Sequence, residues 1–594
     1  MSSLARKPDM CKNGRFRHGL ILRFKHGLIL MLTGLFCLMT TSACSPFATS
    51  STAATSGTAS AIGTAKTSGT QTDLANGTTT PPTRSAPEIA TQLEDGPSGP
   101  LRIWWTQRDS LNPLLEDSKA GQAVNDLVFQ GLFNIKDDQS IEPQLAKNLT
   151  FWQSGLQALV ILDEGHFFHD GSPVTLDDAA ACLSFILDPA NQSVYAAGLA
   201  AVESVQVIDH AALELRLKRP DPWLAYALTF PIIPAASLNA EQGELIPGTG
   251  RYQMTSFDPN VGLHLVYRQK DDPEGLQEII VRMYEDQLAA MQAMERDELD
   301  LVYLDARDCS RYIMRSSLRL SLFTGNELYL VSCNTADGHP LADADRLVTV
   351  KQMIQAASLT GTDAASWGEL TNLGIPDGSW LTEALQTDSS DGQLDAYAVR
   401  LSQIALPATY ADQEPGDEKE SLQIVVAAED ERRVRLAGIL AEQLSAGGVA
   451  SEVIPLTVDL FWPALEAGDY DLALLAAVLT NAPDPAWLYR RVRPEPWMVI
   501  DRLNPDAVGL DEYAAWQEKL ISVIPDNFRK MTGVLATEPL FADTLVETAV
   551  RSPWCILELL YEGLAYGDRV YGQCKPNRYH PYQHVEELWV WSGQ

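Results

Sequence analysis

Histidines, cysteines and converging carboxylates are the residues from which a chain assembles a metal site or an activated nucleophile, and here they are dispersed: nine histidines and eight cysteines in 594 residues. The densest group is His166, His169 and Asp170. On an extended segment side chains alternate between faces, so two histidines three apart point in opposite directions and do not converge on one ion. Asp170-Gly171 reads instead as a tight turn, and a structural role is expected for the whole group. The cysteines stand at 11, 37, 44, 182, 309, 333, 555 and 574, with no CxxC pair or other metal-ligand spacing. No zinc framework is expected. Five cysteines follow Cys44, an odd number, and no disulfide is assigned. The sequence contains no GxSxG elbow, no HExxH and no GxxxxGK followed by Ser or Thr, so the common nucleophile, zinc and phosphate-loop constellations are missing. No catalytic, cofactor or metal centre is expected.

At the N-terminus Arg6, Lys7, Lys12, Arg15, Arg17, Arg23 and Lys25 precede an uncharged apolar run, Gly27 to Met39, that ends at Thr41-Ser42-Ala43-Cys44. That order is the anatomy of a secretory signal. The run is about 13 residues, short of the ~20 that a spanning helix needs. Small residues directly before a cysteine resemble the bacterial lipobox, whose cysteine thiol is joined to diacylglycerol. The resemblance implies a lipoprotein signal peptide over 1–43, a lipid anchor at Cys44, and a place on the extracytoplasmic face of the cell membrane; ordinary cleavage nearby is the alternative. From 44 to 100 the chain turns to Ser, Thr, Ala and Gly with few large apolar residues. Such a segment buries too little to offset chain entropy, and a disordered tether reaching on the order of 40 Å is expected.

Beyond the tether about 495 residues remain, too many for one core, so two or more domains are expected. The 45% hydrophobic content and 13 tryptophans suffice for sizeable cores. Removing the first 43 residues takes away seven Lys/Arg and one Asp, and moves the formal net charge from −34 to about −40. That surface repels nucleic acid and anionic lipid, so nucleic acid is not an expected partner.

Short β-rich runs, Leu101 to Trp105, Gln157 to Leu162, Ala212 to Leu217 and Leu263 to Tyr267, alternate with helical patterns at Ala179 to Leu187 and Gln287 to Arg296. A second stretch repeats the mixture: strands at Leu328 to Ser332, Leu422 to Ala427, Val453 to Leu456 and Asp471 to Leu475, helices at Arg346 to Ala357 and Arg432 to Ser445. The fold class is therefore α/β with two lobes. Before the Ala179 helix, Pro173 blocks an earlier start, Thr175 is suited to cap, and Asp177 and Asp178 suit the positive end of the helix dipole.

Several weak motifs then occur in one order: Leu111-Asn112-Pro113-Leu114, Val128-Phe129-Gln130-Gly131-Leu132-Phe133, Glu142-Pro143-Gln144-Leu145-Ala146, and Phe168-His169-Asp170-Gly171-Ser172-Pro173. Gly248-Thr249-Gly250-Arg251-Tyr252, Asp297-Glu298-Leu299-Asp300, Cys333-Asn334-Thr335, Gly468-Asp469-Tyr470-Asp471, Asp484-Pro485, Tyr571-Gly572-Gln573, Lys575-Pro576-Asn577 and His580-Pro581-Tyr582 follow. Over Leu101 to Trp591 this order resembles the peptide/nickel-type extracellular solute-binding proteins of ABC importers, the oligopeptide- and dipeptide-binding family. The resemblance implies a two-lobed Venus-flytrap fold of the periplasmic-binding-protein kind with a two-stranded hinge and a discontinuous first lobe. Lobe 1 would run over 101–325, lobe 2 over 326–549, and 550–594 would return to complete lobe 1, with crossings near Phe323 to Leu328 and Val550 to Leu557.

The implied function is capture of a small ligand, a peptide above all, and its delivery to a membrane permease by a monomer. Alternatives are a ligand sensor or receptor on the same fold, or a non-peptide solute such as a metal chelate, haem or an oligosaccharide. In many relatives an aspartate pairs with the ligand's α-ammonium; that place falls on Thr480 or Asn481, and the nearby tryptophan's on Ala477 or Val478. The ligand-binding residues implied are Asp117, Ser118 and Lys119 in the first lobe, and Ala477, Val478, Leu479, Thr480, Asn481, Asp484 and Trp487 in the second. Asp117 or Asp484 is the candidate to take over the ammonium, with a structural Asp-Pro turn the equal alternative for Asp484; the strand Ala476 to Leu479 would offer its backbone; and Trp104, Trp105 and Trp487 are candidates for apolar pockets, core being the commoner place for a tryptophan in such a lobe. Asn334 would serve the hinge or a strand end.

Overall fold

Runs of β-branched, aromatic and leucine residues form the strands. In chain order these are β1 (Leu101–Thr106), β2 (Phe133–Ile135), β3 (Ile141–Pro143), β4 (Ala146–Trp152), β5 (Gln157–Leu162), β6 (Val202–Ile208), β7 (Ala212–Leu217), β8 (Tyr252–Asp258), β9 (Gly262–Tyr267), β10 (Glu278–Tyr284) and β11 (Leu301–Leu304). The long β12 (Arg319–Cys333) follows, then β13 (Gly368–Leu370), β14 (Leu422–Ala427), β15 (Ser451–Leu456), β16 (Leu472–Val478), the long β17 (Trp554–Tyr566), β18 (Val570–Tyr571) and β19 (Trp589–Val590). The computed structural model describes residues 98–592 apart from 107–109, 210, 242, 269–274, 314, 381–396, 398–399, 402–420, 483–545, 547–548 and 551.

The fold is mixed α/β and two-lobed, and one sheet runs through both lobes. Its order is β15-β14-β16-β12-β17-β11-β1-β10-β9-β8, with β13 attached to β17. The two long strands make the connection. Arg319 to Thr324 of β12 pairs with Tyr561 to Tyr566 of β17, where β17 also meets β11; Leu328 to Ser332 pairs with Trp554 to Leu559, where β12 also meets β16. Between Thr324 and Leu328 the register shifts, which frees Gly325, Asn326 and Glu327 from the ladder with β17. β12 runs through the expected first crossing. β17 takes in 554–557 of the second and continues to Tyr566, because its apolar run contains no residue that would end a strand.

A separate sheet, β4-β5-β7-β6, covers the first lobe. The chain's last described segment returns to that lobe: Gly99 donates to the Val590 carbonyl at 2.9 Å and Leu276 to the Glu586 carbonyl at 2.8 Å. In the second lobe, helices Ala344–Met353 and Glu431–Ala446 place Val350, Leu436, Leu440 and Leu444 against β12, β14 and β16. Each such fully buried aliphatic side chain contributes about 1.5–3 kcal/mol relative to exposure.

Local chemistry sets the ends of elements as expected. The helix α1 (Lys119–Val128) is capped by Ser118. At α2 (Leu176–Leu187) Thr175 and Asp178 form a reciprocal capping box, Asp178 N donating to Thr175 Oγ1 at 3.3 Å and Thr175 N to Asp178 Oδ2 at 3.0 Å. The His166–Asp170 group is the structural turn that was expected: Gly171 has φ +88°, and Asp170 Oδ1 accepts from Ser172 N at 2.9 Å. His169 clamps a second loop, its Nδ1 accepting from Gly248 N at 3.2 Å while its Nε2 meets the Gly250 carbonyl at 3.0 Å. One accepting and one donating nitrogen define a neutral imidazole, and burial lowers its pKa in the same sense. The loop needs both glycines, since a Cβ on Gly248 or Gly250 would collide with the Val128 and Leu127 carbonyls at the end of α1.

Candidate functional site

Helix α1, Asn326 of β12, Glu562 of β17 and the returning segment line a half-open cavity of about 170 Å³. Lys119, Asn125 and Asp126 line it from α1, Asn326 and Glu562 from the hinge strands, Asn481 from beyond β16, and Arg578 and His580 from the return. Phe129, Phe133 and Ile135 form an apolar wall.

A chain of hydrogen bonds crosses from one lobe to the other here. Lys119 Nζ donates to Asn326 Oδ1 at 2.6 Å, and Asn326 Nδ2 donates to the Leu479 carbonyl at 3.3 Å. Leu479 N returns a bond to the Asn326 carbonyl at 2.8 Å. Lys119 also pairs with Glu562, whose other oxygen accepts from the Tyr303 hydroxyl. Glu562 is 2% exposed, so its charge is tolerated only with such partners. Gly325 makes the approach possible, because a Cβ there would stand 2.7 Å from Glu562 Oε1. Burial, followed by the charge of Glu562, holds the Tyr303 phenol well above its ordinary range. Burial also raises the Glu327 carboxyl, against the pull of Lys119 and Arg432.

His580 lies between Asp126 Oδ1 at 2.9 Å and the Ile135 carbonyl at 3.0 Å. Two acceptors require a proton on each nitrogen. Burial opposes that charge, but the Asp126 carboxylate and the two hydrogen bonds outweigh it and raise the pKa to about 8. The folded pKa lies above the unfolded value of about 6.5, so the contribution is complete below pH 6.5 and is lost as pH rises through 8. Asp126→Asn is therefore expected to cost about 1–2 kcal/mol at pH 6, with a difference from wild type that shrinks towards pH 9 in urea titrations.

Of the residues implied by sequence, Lys119 and Asn481 come together on the cavity. Ser118 turns inward to the helix, its Oγ accepting from Gly121 N at 3.1 Å and donating to Glu116 Oε1 at 2.6 Å. Asp117 is exposed and outside the cavity lining. Ala477 and Val478 pair with Leu328 and Glu327 on one edge, while β14 pairs β16 only from Leu472 to Leu474. The other edge from Leu475 to Val478 has no strand partner among the described residues. The backbone of Leu479 differs from the expectation of an open strand, since Asn326 occupies both its N–H and its carbonyl. The Thr480 hydroxyl donates to the Ala482 carbonyl at 3.1 Å. Asp484, Trp487 and Cys44 lie outside the described residues.

Trp104 and Trp105 take the commoner place expected of them, in the core, and are not among the residues lining this cavity. They are 4% and 1% exposed, with their indole N–H groups donating to the Tyr303 carbonyl at 3.2 Å and Glu116 Oε2 at 2.7 Å. Core packing wins because β1 lies inside the sheet between β10 and β11. Asn334 ends β12, its Nδ2 donating to the Gly468 and Tyr470 carbonyls at 3.0 Å each. Sequence reasoning missed Asn125, Tyr303, Asn326, Glu562 and Arg578. A signal existed for Glu562, since an acid inside the run Trp554–Tyr566 is buried either with a partner, as Glu562 is, or by keeping its proton, as Glu558 does.

The geometry can be set beside known proteins. Residues 140–497 match the family described as bacterial extracellular solute-binding proteins, family 5, middle. A protein named as an ABC transporter peptide-binding protein of Brucella ovis is 28% identical over 166 residues, 26% of this chain and 32% of that one. The glutathione-binding protein GsiB of Escherichia coli K12 is 28% identical over 155 residues, 25% of this chain and 30% of its own. The matched stretch is thus about a third of these curated relatives' length. Among solved structures, the periplasmic murein tripeptide-binding protein MppA in its unliganded open form superposes with a TM-score of 0.62 at 17% identity, over 84% of this chain and 98% of that one. A nickel ABC transporter protein of Bacillus halodurans gives 0.60 at 16% identity, over 83% and 100%. These likenesses establish the two-lobed fold. With the family match spanning more than half its length, the chain belongs to the bacterial extracellular solute-binding proteins of family 5.

Proposed function

We propose that this protein is the lipid-anchored solute-binding component of an ABC importer, held to the extracytoplasmic face of the membrane through Cys44, and that it captures a peptide between its lobes for delivery to the permease. Residues 101–325 and 550–594 act as the first lobe and 326–549 as the second. The observation that carries the peptide reading is the edge of Leu475 to Val478, which has no strand partner among the described residues, near a polar cavity. An extended ligand adds to such an edge through main-chain hydrogen bonds, which requires no particular side chain. Lys119, Asn326 and Leu479 link the lobes next to it, so a ligand seated there touches both halves and favours closure. The peptide and glutathione named for the relatives agree with this choice. A nickel chelate, as the Bacillus halodurans likeness would have it, is the alternative that the assay must separate.

The test is thermal unfolding of the purified chain, denatured and refolded to remove carried ligand, with pools of di- to pentapeptides whose N-termini are free or acetylated. At ~100 times the dissociation constant a ligand adds about 2.7 kcal/mol and shifts the midpoint by several degrees. A shift with free amines alone places an anion such as Asp117 or Asp484 at the ligand's N-terminus; an equal shift with both pools places recognition on the backbone. No shift with peptides, together with a shift in nickel–histidine, would overturn the peptide reading. Cys44→Ala is expected to move the protein from the membrane to the soluble fraction, and retention at the membrane would remove the lipid anchor.

A further inference from the structure

Asn125 is the anomaly of the cavity. It lies on α1, is 2% exposed and lines the space, yet neither its Oδ1 nor its Nδ2 has a hydrogen-bond partner among the described residues. Buried polar groups are nearly always satisfied, and a carboxamide with both donor and acceptor unmade calls for an explanation. Helix formation does not supply one: the Asn125 carbonyl already accepts from Phe129 N at 2.8 Å, and the side chain plays no part in that bond. Nor do the neighbouring charges. Lys119 is taken up by Glu562 and Asn326, and His580 by Asp126 and the Ile135 carbonyl.

An unmade N–H beside an unmade C=O is complementary to a group that presents the same pair in reverse, and a carboxamide is that group. A carboxylate would leave Oδ1 facing another acceptor, and an ammonium would leave Nδ2 facing another donor. Lys119 and His580 are already paired with Glu562 and Asp126, whereas Arg578 bonds the Gly325 carbonyl and the Tyr579 hydroxyl, so the acidic isostere is the control that separates reading by Asn125 from attraction to Arg578. We infer that Asn125 is a specificity-determining residue that reads a carboxamide side chain of the captured peptide, Oδ1 accepting from the ligand's amide N–H and Nδ2 donating to its carbonyl. This rests on the peptide reading above and names the side chain that the cavity takes. A site built to bond an amide rejects an apolar isostere strongly, because its own polar atoms are then left unmade.

Calorimetry on the refolded, ligand-free full chain with Ala-Gln-Ala and its near-isosteres Ala-Met-Ala and Ala-Glu-Ala tests the assignment. Wild type is expected to bind Ala-Gln-Ala at least tenfold more tightly than either. Asn125→Leu removes the preference, bringing Ala-Gln-Ala and Ala-Met-Ala within about twofold, and Asn125→Ala does the same should leucine disturb α1. A merely structural asparagine would change stability and leave the ratio alone. Equal binding of the three tripeptides by wild type, or a ratio unmoved in both variants, overturns the role of Asn125 while peptide capture stands. Failure of wild type to bind these tripeptides or any peptide pool overturns both.

Discussion

Replacing Glu558 with glutamine is expected to raise stability at pH 7 by about 3 kcal/mol and to flatten most of its fall between pH 5 and 8. Glu558 is on β17, opposite Tyr329 of β12 and Leu370 of β13. It is fully buried, and neither carboxyl oxygen has a hydrogen-bond partner among the described residues. Burial pushes its pKa up to about 8, with the charge of Arg432 pulling the other way. The folded protein thus keeps a proton that the unfolded chain releases near pH 4.5. Stability is complete below that value and falls by about 1.4 kcal/mol per pH unit until the folded carboxyl ionises. Glutamine has nearly the same shape and nothing to titrate, so the penalty disappears. Urea titrations at pH 5, 6, 7 and 8 measure it, and an unchanged slope in the variant would show that Glu558 is charged and solvated. The Asp126–His580 pair gives the same sign over a narrower window, so the two variants separate the contributions.

Lys351→Met is expected to cost about 3–5 kcal/mol and to lower the unfolding midpoint by several degrees. Lys351 is fully buried on helix Ala344–Met353, and its Nζ donates to the carbonyls of Ala549, Val550 and Ser552 at 2.9, 2.9 and 2.7 Å. Burial lowers its pKa, yet three carbonyls converging on one ammonium satisfy every proton it carries. Methionine fills the same volume but takes the ammonium from all three carbonyls in a buried place, leaving the Ala549 carbonyl to the Ser552 hydroxyl at 3.0 Å. They immediately precede β17, so the bond ties a second-lobe helix to the chain about to cross. Lys147→Met, at an exposed position, is expected to stay within about 0.5 kcal/mol. Equal losses from the two would remove any special role for Lys351.

Elements whose physics is local were legible in the sequence. Gln157–Leu162, Ala212–Leu217 and Leu422–Ala427 form strands with those same bounds. Thr175 caps α2 through a bond that depends on residues three apart. Half of the candidate site was harder. Lys119 and Asn481 were reached through resemblance, while Trp104 and Trp105 stood open between pocket and core, the commoner place, because periodicity cannot say which neighbour covers an apolar side chain.

By itself the sequence determined an α/β chain of two lobes, its order of motifs, and the caps and turns, since each depends on contacts within a few residues. Only the tertiary structure decided how the lobes meet. Trp554–Tyr566 is buried on both faces, so nothing in its pattern marks where β17 leaves one lobe for the other. That point is set by the register shift opposite Thr324 to Leu328. The shift brings Asn326 and Glu562 to Lys119, residues 207 and 443 positions away from it in the chain. Partners so distant in sequence leave no local pattern, and a buried acid finds its cation only when the sheet closes around both.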